Sequence, residues 1–238
     1  GENEMAETYR FALVGNPNVG KSSLFNALTG LHQHTGNWPG KTVATAAGTC
    51  SIDGAAVELI DLPGTYSLSA RSPEEEVAAE YISFGCADAV IVVCDATALE
   101  RNLYLALQVM EITDHVVICV NLMDEAGKRG ITVDIPRLSQ LLGVRVVGTS
   151  ARQKKTLPPL LRAAVAAAQE RHRKPVPVRY GDAIEAGLFS IEARLDELLP
   201  GSMPNHRWIA MQLLTGGDTA ICALEKKLGR PLEEDPFL

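Results

Sequence analysis

One short polar stretch, GNPNVGKS at residues 15–22, combines glycines, a lysine and a serine at a spacing that suits phosphate binding. It matches the pattern G-x-x-x-x-G-K-[ST] between an apolar run, YRFALV, and a helical pattern, SLFNALTG. The glycines let backbone N–H groups turn inward around a polyphosphate, and the start of the helix adds partial positive charge. Lys21 is expected to reach the β- and γ-phosphates, and the Ser22 hydroxyl suits Mg²⁺. The alternative is a glycine-rich turn that matches by chance.

Three later motifs follow apolar runs, at the positions where a phosphate-loop protein has the other residues of its nucleotide site. In DLPG, Asp61 is expected to approach Mg²⁺ and the Gly64 N–H to face a γ-phosphate. In NLMD, Asp124 can accept from the guanine N1–H and 2-amino groups, and in TSA (149–151) a backbone N–H can contact the guanine carbonyl. Four such motifs in this order are typical of small GTP-binding proteins. The predicted nucleotide contacts are Gly15, Asn16, Asn18, Val19, Gly20, Lys21, Ser22, Ser23, Asp61, Gly64, Asn121, Asp124, Ser150 and Ala151.

Apolar runs that alternate with helical patterns predict an α/β fold, in which a mostly parallel sheet is covered by helices on both faces. The predicted strands are FALVG, AVELID, DAVIVVCDAT, HVVICVNLMD, VRVVGTS and, as a less apolar strand placed at an edge, TVATAAGTCSI. The predicted helices include SPEEEVAAEYI, in which Ser72 would be the N-cap and Glu75 would complete a capping box. The others are LERNLYLALQVMEI, IPRLSQLLG and LPPLLRAAVAAAQER. Such sheets bind ligands beyond the carboxyl ends of their strands.

The character of the chain changes near Pro177, after which no strand-like run occurs. We therefore predict a GTP-binding G domain at residues 8–174 and a small all-helical domain at 178–238. The helical domain begins with one amphipathic face, made by Ile184, Leu188, Ile191, Leu195 and Leu198. NHRWIAMQLL and DTAICALEKKLG predict two further helices. The basic run 171–174 is interpreted as a solvated helix end, with a phosphate or lipid contact as the alternative.

Charge and composition argue against several classes of protein, namely nucleic-acid-binding, disulfide-bonded and membrane-spanning ones. The 238 residues carry a net charge of −7, which disfavours a nucleic-acid-binding body. Five cysteines without a C-x-x-C pair indicate a reducing compartment, and the five histidines show no metal-ligand spacing, so no iron site is predicted. No apolar run approaches the roughly 18 to 20 residues that a spanning helix needs, and no signal peptide is expected.

The segments GNPNVGKSSLFNALTG, GNWPGKTV, DLPGTYSL and NLMD together resemble the cytosolic amino-terminal region of the FeoB family of bacterial ferrous iron transporters. The resemblance covers about Arg10 to Arg171, and the helical tail resembles the family's GDP-dissociation-inhibitor-like domain. It implies a slow GTPase that regulates ferrous iron uptake at the cytoplasmic face of the bacterial inner membrane, with this fragment itself soluble. The implied partners are a membrane domain absent from this chain, small accessory Feo proteins and further copies of the chain, but no nucleic acid.

The resemblance also implies roles for single residues. Thr42 would join Ser22 on Mg²⁺, and Lys21, Thr42 and Gly64 would form the catalytic set. Asn18 would ligate K⁺ together with the carbonyls of Gly36 and Trp38, as the loop 36–40 folds over the nucleotide. Two alternatives stay open: Asn18 as a loop-stabilising Asx turn and Trp38 as a core anchor.

Two departures from the usual G-protein pattern matter. Leu122 replaces the lysine of Asn-Lys-x-Asp, which predicts weaker nucleotide binding and faster release; FeoB-like proteins share this departure. Thr65 stands where many G proteins place a water-orienting glutamine. No side chain is therefore assigned as the water activator. Glu74 and Glu75 are interpreted as surface carboxylates, and an action of Arg71 in cis is a minor alternative.

Two other functions compete with the GTPase switch. RNA- or ribosome-associated G proteins share the PN pair of the loop, but they usually append a basic module. Here the tail from Pro175 onward has six Lys and Arg against ten Asp and Glu. A nucleotide-dependent binding module that does not hydrolyse GTP is left open by the missing glutamine.

Overall fold

The computed structural model describes residues 7–30, 32–69, 71–84, 87–170, 175–176, 178–199 and 206–232. Its strands are β1 (Thr8–Gly15), β2 (Gln33–Asn37), β3 (Ala44–Ile52), β4 (Ala55–Asp61), β5 (Ala89–Asp95), β6 (Val116–Asn121) and β7 (Arg145–Gly148). The helices are α1 (Lys21–Thr29), α2 (Pro73–Phe84), α3 (Leu99–Ile112), α4 (Met123–Lys128), α5 (Ile135–Leu142), α6 (Leu157–Gln169), α7 (Asp182–Leu198), α8 (His206–Thr215) and α9 (Asp218–Leu228). A 3₁₀ turn, Lys154–Thr156, precedes α6.

The strands form one sheet in the order β2-β3-β4-β1-β5-β6-β7. The pairs from β4 to β7 are parallel, whereas β2–β3 and β3–β4 are antiparallel. The predicted α/β class and mostly parallel sheet are therefore confirmed. The run TVATAAGTCSI does form a strand, but β2 rather than β3 occupies the edge of the sheet.

Both faces of the sheet are covered because its central strands are apolar on both sides. On one face, Leu24 and Phe25 of α1 and Leu160 of α6 pack against Leu13 and other inward residues of the sheet. On the other face, α2 and α3 cover Val14, Val92 and their neighbours. Because the strands from β4 to β7 are parallel, the carboxyl ends of β1, β4, β6 and β7 meet at one rim of the sheet, where each predicted motif begins.

Helix α2 begins as its sequence predicts. The Ser72 hydroxyl accepts from the Glu75 N–H at 3.2 Å, and the Ser72 carbonyl accepts from the Glu76 N–H at 2.9 Å. The reciprocal half of the capping box is displaced by one residue, because the Glu75 carboxylate accepts from the Arg71 N–H at 3.0 Å. It also accepts from the Ser67 hydroxyl at 3.0 Å, so Glu75 ties the segment that follows DLPG to the start of α2. Glu75, interpreted from the sequence as a surface carboxylate, is thus half-buried and hydrogen-bonded to its own connection.

The carboxyl-terminal helices pack on the face that α2 and α3 cover. Leu188 and Leu195 of α7 and Trp208 of α8 are buried in the same apolar cluster, and Trp208 lies edge-on to Phe84 with ring centroids 6.3 Å apart. The Tyr180 hydroxyl donates to Glu111 of α3 at 2.5 Å. The basic run 171–174 and Pro177 lie outside the described residues, so the exact domain boundary stays a prediction. Among the described residues no helix has both the length and the apolarity needed to cross a bilayer.

Candidate nucleotide-binding site

The phosphate loop links the end of β1 directly to the start of α1. Its turn depends on two left-handed residues, Asn18 at a φ of 67° and Gly20 at 79°. Gly20 precedes α1, and no side chain caps the first N–H groups of the helix, whose first turn also lacks acidic residues. These N–H groups and their partial positive charge are therefore directed at the loop, as anion binding requires.

Two glycines of the loop are fixed by close packing. A Cβ on Gly15 would lie 2.7 Å from the Val93 carbonyl oxygen, so β1 and β5 could not approach as they do. A Cβ on Gly20 would lie 2.6 Å from Asn121 Nδ2, in a backbone conformation that L side chains rarely adopt. The motif spacing thus has a steric cause.

Lys21 joins the phosphate loop to the DLPG loop. Its buried ammonium group forms an ion pair with Asp61 and donates to the Leu62 carbonyl at 2.6 Å. The Thr65 N–H donates to the Gly15 carbonyl at 3.1 Å, and Gly64 lies against Pro17, with 3.5 Å between its ideal Cβ and Pro17 Cα. The structure therefore brings Lys21, Asp61 and Gly64 together from the residues predicted for the phosphates and for Mg²⁺. Ser22, Ser23 and Asn18 are exposed beside them.

Asn121 locks the phosphate loop to the base-recognition motifs. Its Nδ2 donates to the Val19 carbonyl at 3.1 Å, and its Oδ1 accepts from the Thr149 hydroxyl at 3.1 Å. Asn121 and Thr149 are fully buried, and the thiol of Cys119 lies 3.1 Å from the same hydroxyl. The Met123 N–H also donates to the Thr149 carbonyl at 3.1 Å.

Asp124 lies on the accessible side of this cluster. The hydroxyl of Ser150 donates to its carboxylate and holds the pKa of Asp124 below its usual range, with help from backbone N–H groups. Asp124 is therefore ionised at neutral pH and can accept two hydrogen bonds from a guanine edge. Ala151 follows in the turn that leads to the 3₁₀ helix.

Leu122 takes a left-handed conformation, with a φ of 62°, at the start of α4. Its Cδ2 would lie 3.4 Å from a Cβ on Gly20, so the leucine packs against the phosphate loop. This apolar contact occupies the place where the usual lysine would extend along the loop. Leucine cannot supply the lysine's hydrogen bonds or charge.

The residues predicted to fold over the nucleotide lie in the hairpin formed by β2 and β3. Gly36 belongs to β2 and pairs with Thr45 of β3, in a segment that the sequence had suggested to be a loop. Trp38 is half-buried and packs edge-on to Tyr81 of α2, with ring centroids 5.3 Å apart. Thr42 is exposed in the connection to β3. No hydrogen bond among the described residues joins Thr42 to Ser22, or Asn18 to Gly36 or Trp38.

The oxygen atoms present fit the two predicted cations to different degrees. For Mg²⁺, the exposed Ser22 and Thr42 hydroxyls and the Asp61 carboxylate are hard oxygen ligands of the type this ion prefers. For K⁺, the amide of Asn18 and two backbone carbonyls have suitable chemistry. However, the Trp38 carbonyl already accepts from the Lys41 N–H at 3.0 Å. The potassium shell thus fits in its chemistry, while one of its two carbonyls already accepts a hydrogen bond.

Several residues of the site carry no sequence signal that would have revealed them. The hydroxyl of Thr149 holds Asn121, although the motif predicted only a backbone contact there. Asn16 was predicted as a nucleotide contact, but its burial to 2% exposure was not; its Oδ1 has no donor among the described residues, which leaves an acceptor free beside the phosphate loop. Lys41 of the hairpin contacts α2, and Tyr81 of α2 contacts the hairpin. Both contacts depend on the folding of α2 against the hairpin, which the local sequence does not reveal.

Comparison with known proteins gives a consistent result. Residues 9–164 match the family model described as ferrous iron transport protein B. The chain is 40% identical over 232 residues to the Fe(2+) transport protein A/Fe(2+) transporter FeoB fusion protein of Porphyromonas gingivalis, covering 95% of this chain and 26% of that protein. It is 38% identical over 210 residues to the Fe(2+) transporter FeoB of Escherichia coli K12, covering 86% and 26%. The chain thus spans about a quarter of the length of these curated relatives.

Solved structures extend the similarity to the whole fold. The cytosolic domain of the T. maritima FeoB iron transporter in a GDP form superposes with a TM-score of 0.84 at 38% identity, covering 94% of this chain and 88% of that one. Its GMPPNP form gives the same TM-score and identity, with 94% and 87% covered.

Proposed function

The chain belongs to the ferrous iron transport protein B family, and on this premise we propose that it is a GTP-binding switch domain that hydrolyses GTP to GDP and phosphate. The observation that carries the proposal is the junction of three loops around Lys21 and Asn121. Lys21 joins the phosphate loop to the DLPG loop, and Asn121 joins the phosphate loop to the base motifs. A site for phosphates and a site for a guanine edge are therefore built on one rigid unit.

Each residue has a defined role in this proposal. The Lys21 ammonium exchanges Asp61 for phosphate oxygens, and the N–H groups at the start of α1 bind the same anion. Ser22, Asp61 and Thr42 would hold Mg²⁺, which supplies positive charge to the phosphates. The Gly64 N–H orients toward the terminal phosphate, and Asp124 selects guanine. Val19, Ser23, Ser150 and Ala151 line the same nucleotide site.

Hydrolysis also needs charge stabilisation in the transition state, because neither a water-orienting glutamine nor an arginine finger is evident in the motifs. We assign this role to K⁺ held by Asn18 and the carbonyls of Gly36 and Trp38. The left-handed backbone of Asn18 supports this assignment, since it places the residue at the exposed turn of the phosphate loop.

The biological role follows from the family. The chain would regulate ferrous iron uptake through a membrane domain in the rest of the protein, at the cytoplasmic face of the bacterial inner membrane. Accessory Feo proteins and further copies of the chain are proposed as its other partners. The fused Fe(2+) transport protein A of the P. gingivalis relative supports the first of these. The acidic tail argues against nucleic acid.

The test is GTP binding and turnover by the purified chain with Mg²⁺ and K⁺. Ser22→Ala removes an exposed hydroxyl, so it should suppress turnover while the fold is kept. Lys21→Ala removes a charge-assisted contact of about 1.5 to 3 kcal/mol and should weaken triphosphate binding by about tenfold or more. Lys226→Ala, an exposed change in α9, is the control. Normal turnover in Ser22→Ala, or no GTP binding by the unmodified chain, would contradict the proposal.

A further inference from the structure

The turn between β2 and β3 is specified by the local sequence Trp38-Pro39-Gly40-Lys41. Proline at the second position and a glycine with a φ of 74° at the third are the pattern of a type II turn. The Lys41 N–H closes this turn on the Trp38 carbonyl at 3.0 Å, and the Trp38 N–H donates to the Val43 carbonyl at 2.7 Å. The turn thus uses both backbone polar groups of Trp38.

The ladder between β2 and β3 uses the backbone of Gly36 in the same way. Hydrogen-bonded pairs alternate along an antiparallel ladder. The Thr49 N–H donates to the His32 carbonyl at 2.9 Å and the Trp38 N–H to the Val43 carbonyl at 2.7 Å, so these two pairs are hydrogen-bonded. Every second pair between these two is therefore hydrogen-bonded, and Gly36 with Thr45 is one of them. The Gly36 carbonyl therefore faces β3, and both carbonyls assigned to K⁺ are satisfied inside the hairpin.

Helix α2 holds this hairpin from outside through two independent contacts. The Trp38 ring packs on Tyr81 at an interplanar angle of 84°, which is the edge-to-face geometry that aromatic pairs prefer. The ammonium of Lys41 is buried and lies 2.8 Å from Glu76 and 3.7 Å from Glu80. The two carboxylates are four residues apart, so they share one face of α2 and hold the lysine by charge.

We propose that α2 acts as an autoinhibitory clamp on the hairpin, through Tyr81 on Trp38 and through Glu76 and Glu80 on Lys41. While the clamp is closed, Thr42 stays at the exposed connection and the two potassium-ligand carbonyls stay occupied. The cation shell forms only when Trp38 leaves Tyr81 and β2 separates from β3. The inference rests on the proposed function for its consequence in hydrolysis, but the clamp itself is a property of the nucleotide-free chain.

The clamp also connects the two nucleotide-sensing loops. Helix α2 begins at Pro73, with residues 65–72 between it and Gly64, and Glu75 holds this connection to the helix through the Ser67 hydroxyl and the Arg71 N–H. A shift of Gly64 toward a terminal phosphate would therefore move α2 and loosen its hold on Trp38 and Lys41. Triphosphate would release the hairpin, and diphosphate would leave it clamped.

The test follows the fluorescence of Trp38, one of two tryptophans, in a Trp208→Phe background. Acrylamide quenching of Trp38 is measured without nucleotide, with Mg²⁺-GDP and with Mg²⁺-GMPPNP in KCl. GMPPNP should raise the quenching constant about twofold or more over GDP. Tyr81→Leu and Lys41→Gln, which break the clamp at different points, should each raise it without any nucleotide. Tyr81→Phe keeps the ring and Lys226→Gln is an exposed change in α9, so both should match the parent.

Turnover gives the second measurement. In otherwise unaltered chains, Tyr81→Leu and Lys41→Gln should lower the K⁺ concentration for half-maximal activation by about two- to tenfold, as expected for loss of an aromatic pair or a partly buried ion pair. If both variants show parental quenching without nucleotide, or need more K⁺ than the parent, the clamp is rejected. A chain that binds no GTP would defeat the proposed function, while the nucleotide-free quenching would still decide the clamp.

Discussion

Asn121 Nδ2 donates to the Val19 carbonyl at 3.1 Å, which joins residues 102 positions apart in the chain. The side chain stands at the end of β6, and the carbonyl belongs to the phosphate loop. Thr149 completes the connection from β7, because its hydroxyl donates to the Asn121 oxygen at 3.1 Å. The base motifs and the phosphate loop are therefore one hydrogen-bonded unit in the interior.

The first prediction concerns Thr149→Val, which keeps the side-chain shape and removes the hydroxyl. The Asn121 Oδ1 would then be buried without a donor, at a cost of about 1 to 3 kcal/mol. Thermal unfolding should move down by roughly 2 to 4 °C for each kcal/mol lost in a chain of this size. GDP affinity should fall as well, since the phosphate loop loses its support. Thr49→Val, the same substitution at an exposed position of β3, is the control for stability.

A second prediction concerns base choice. Asp124→Asn turns a carboxylate that accepts two hydrogen bonds into an amide that must present one donor to guanine. Leaving polar groups unpaired in the complex costs about 1 to 3 kcal/mol, so GTP affinity should drop about tenfold or more. Xanthine nucleotides, which carry a carbonyl in place of the 2-amino group, should bind better than before. Unchanged preference for GTP in competition binding would remove Asp124 from the base site.

The sequence predicts the nucleotide rim well because each motif there has a local cause. Gly15 and Gly20 are required by contacts that only a residue without a side chain permits, and the spacing to Lys21 places the ammonium at the start of α1. The strands β5 and β6 are continuous apolar runs because both of their faces are covered. Such features are readable from residue types alone.

The hairpin was less predictable, because its segment carries no apolar alternation. β2 has the sequence QHTGN, and four of its five residues are exposed. Its backbone pairs with β3, while the clamp on Trp38 comes from α2, which follows β4 in the chain. Helix α4 was missed for a related reason: its six residues lie inside and just after a motif that had been assigned to the base. Tertiary contacts decide both segments.

A third prediction concerns pH and the helical region. The Arg207 guanidinium donates two hydrogen bonds to Glu185, at 2.8 and 3.0 Å, and lowers the Glu185 pKa from 4.5 to about 2. Because the folded pKa lies below the unfolded one, this pair stabilises the fold fully above pH 4.5 and stops doing so as the pH falls toward 2. Urea unfolding followed by Trp208 fluorescence in a Trp38→Phe background should show that loss.

Glu185→Gln should flatten this part of the pH profile, since a neutral amide cannot be protonated there. Glu197→Gln is the matched control, because Glu197 pairs with Arg194 on the exposed side of the same helix. It should keep the parental slope between pH 4.5 and 2. Equal slopes in the parent and in Glu185→Gln would assign the acid sensitivity to other groups.

The last prediction concerns the monovalent cation. Charge spreads over the β- and γ-phosphates during hydrolysis, and an arginine finger that offsets it is worth about 10³ or more in rate. If K⁺ on Asn18 replaces part of that effect, GTP turnover should be roughly ten- to a hundredfold faster in KCl than in NaCl. The smaller Na⁺ should serve poorly, because the carbonyls released from the hairpin cannot close around it.

Asn18→Ala separates the cation role from a loop-stabilising role of the same side chain. As a ligand of K⁺, Asn18 is needed only when the terminal phosphate is present. The variant should therefore lose the difference in turnover between KCl and NaCl and keep GDP binding. Because Asn18 has a φ of 67°, Asn18→Gly is a second variant that relieves backbone strain and still lacks the amide. It should behave like Asn18→Ala in both salts. If the parent turns over GTP equally fast in KCl and NaCl, the potassium site is rejected and Asn18 keeps only its place in the turn.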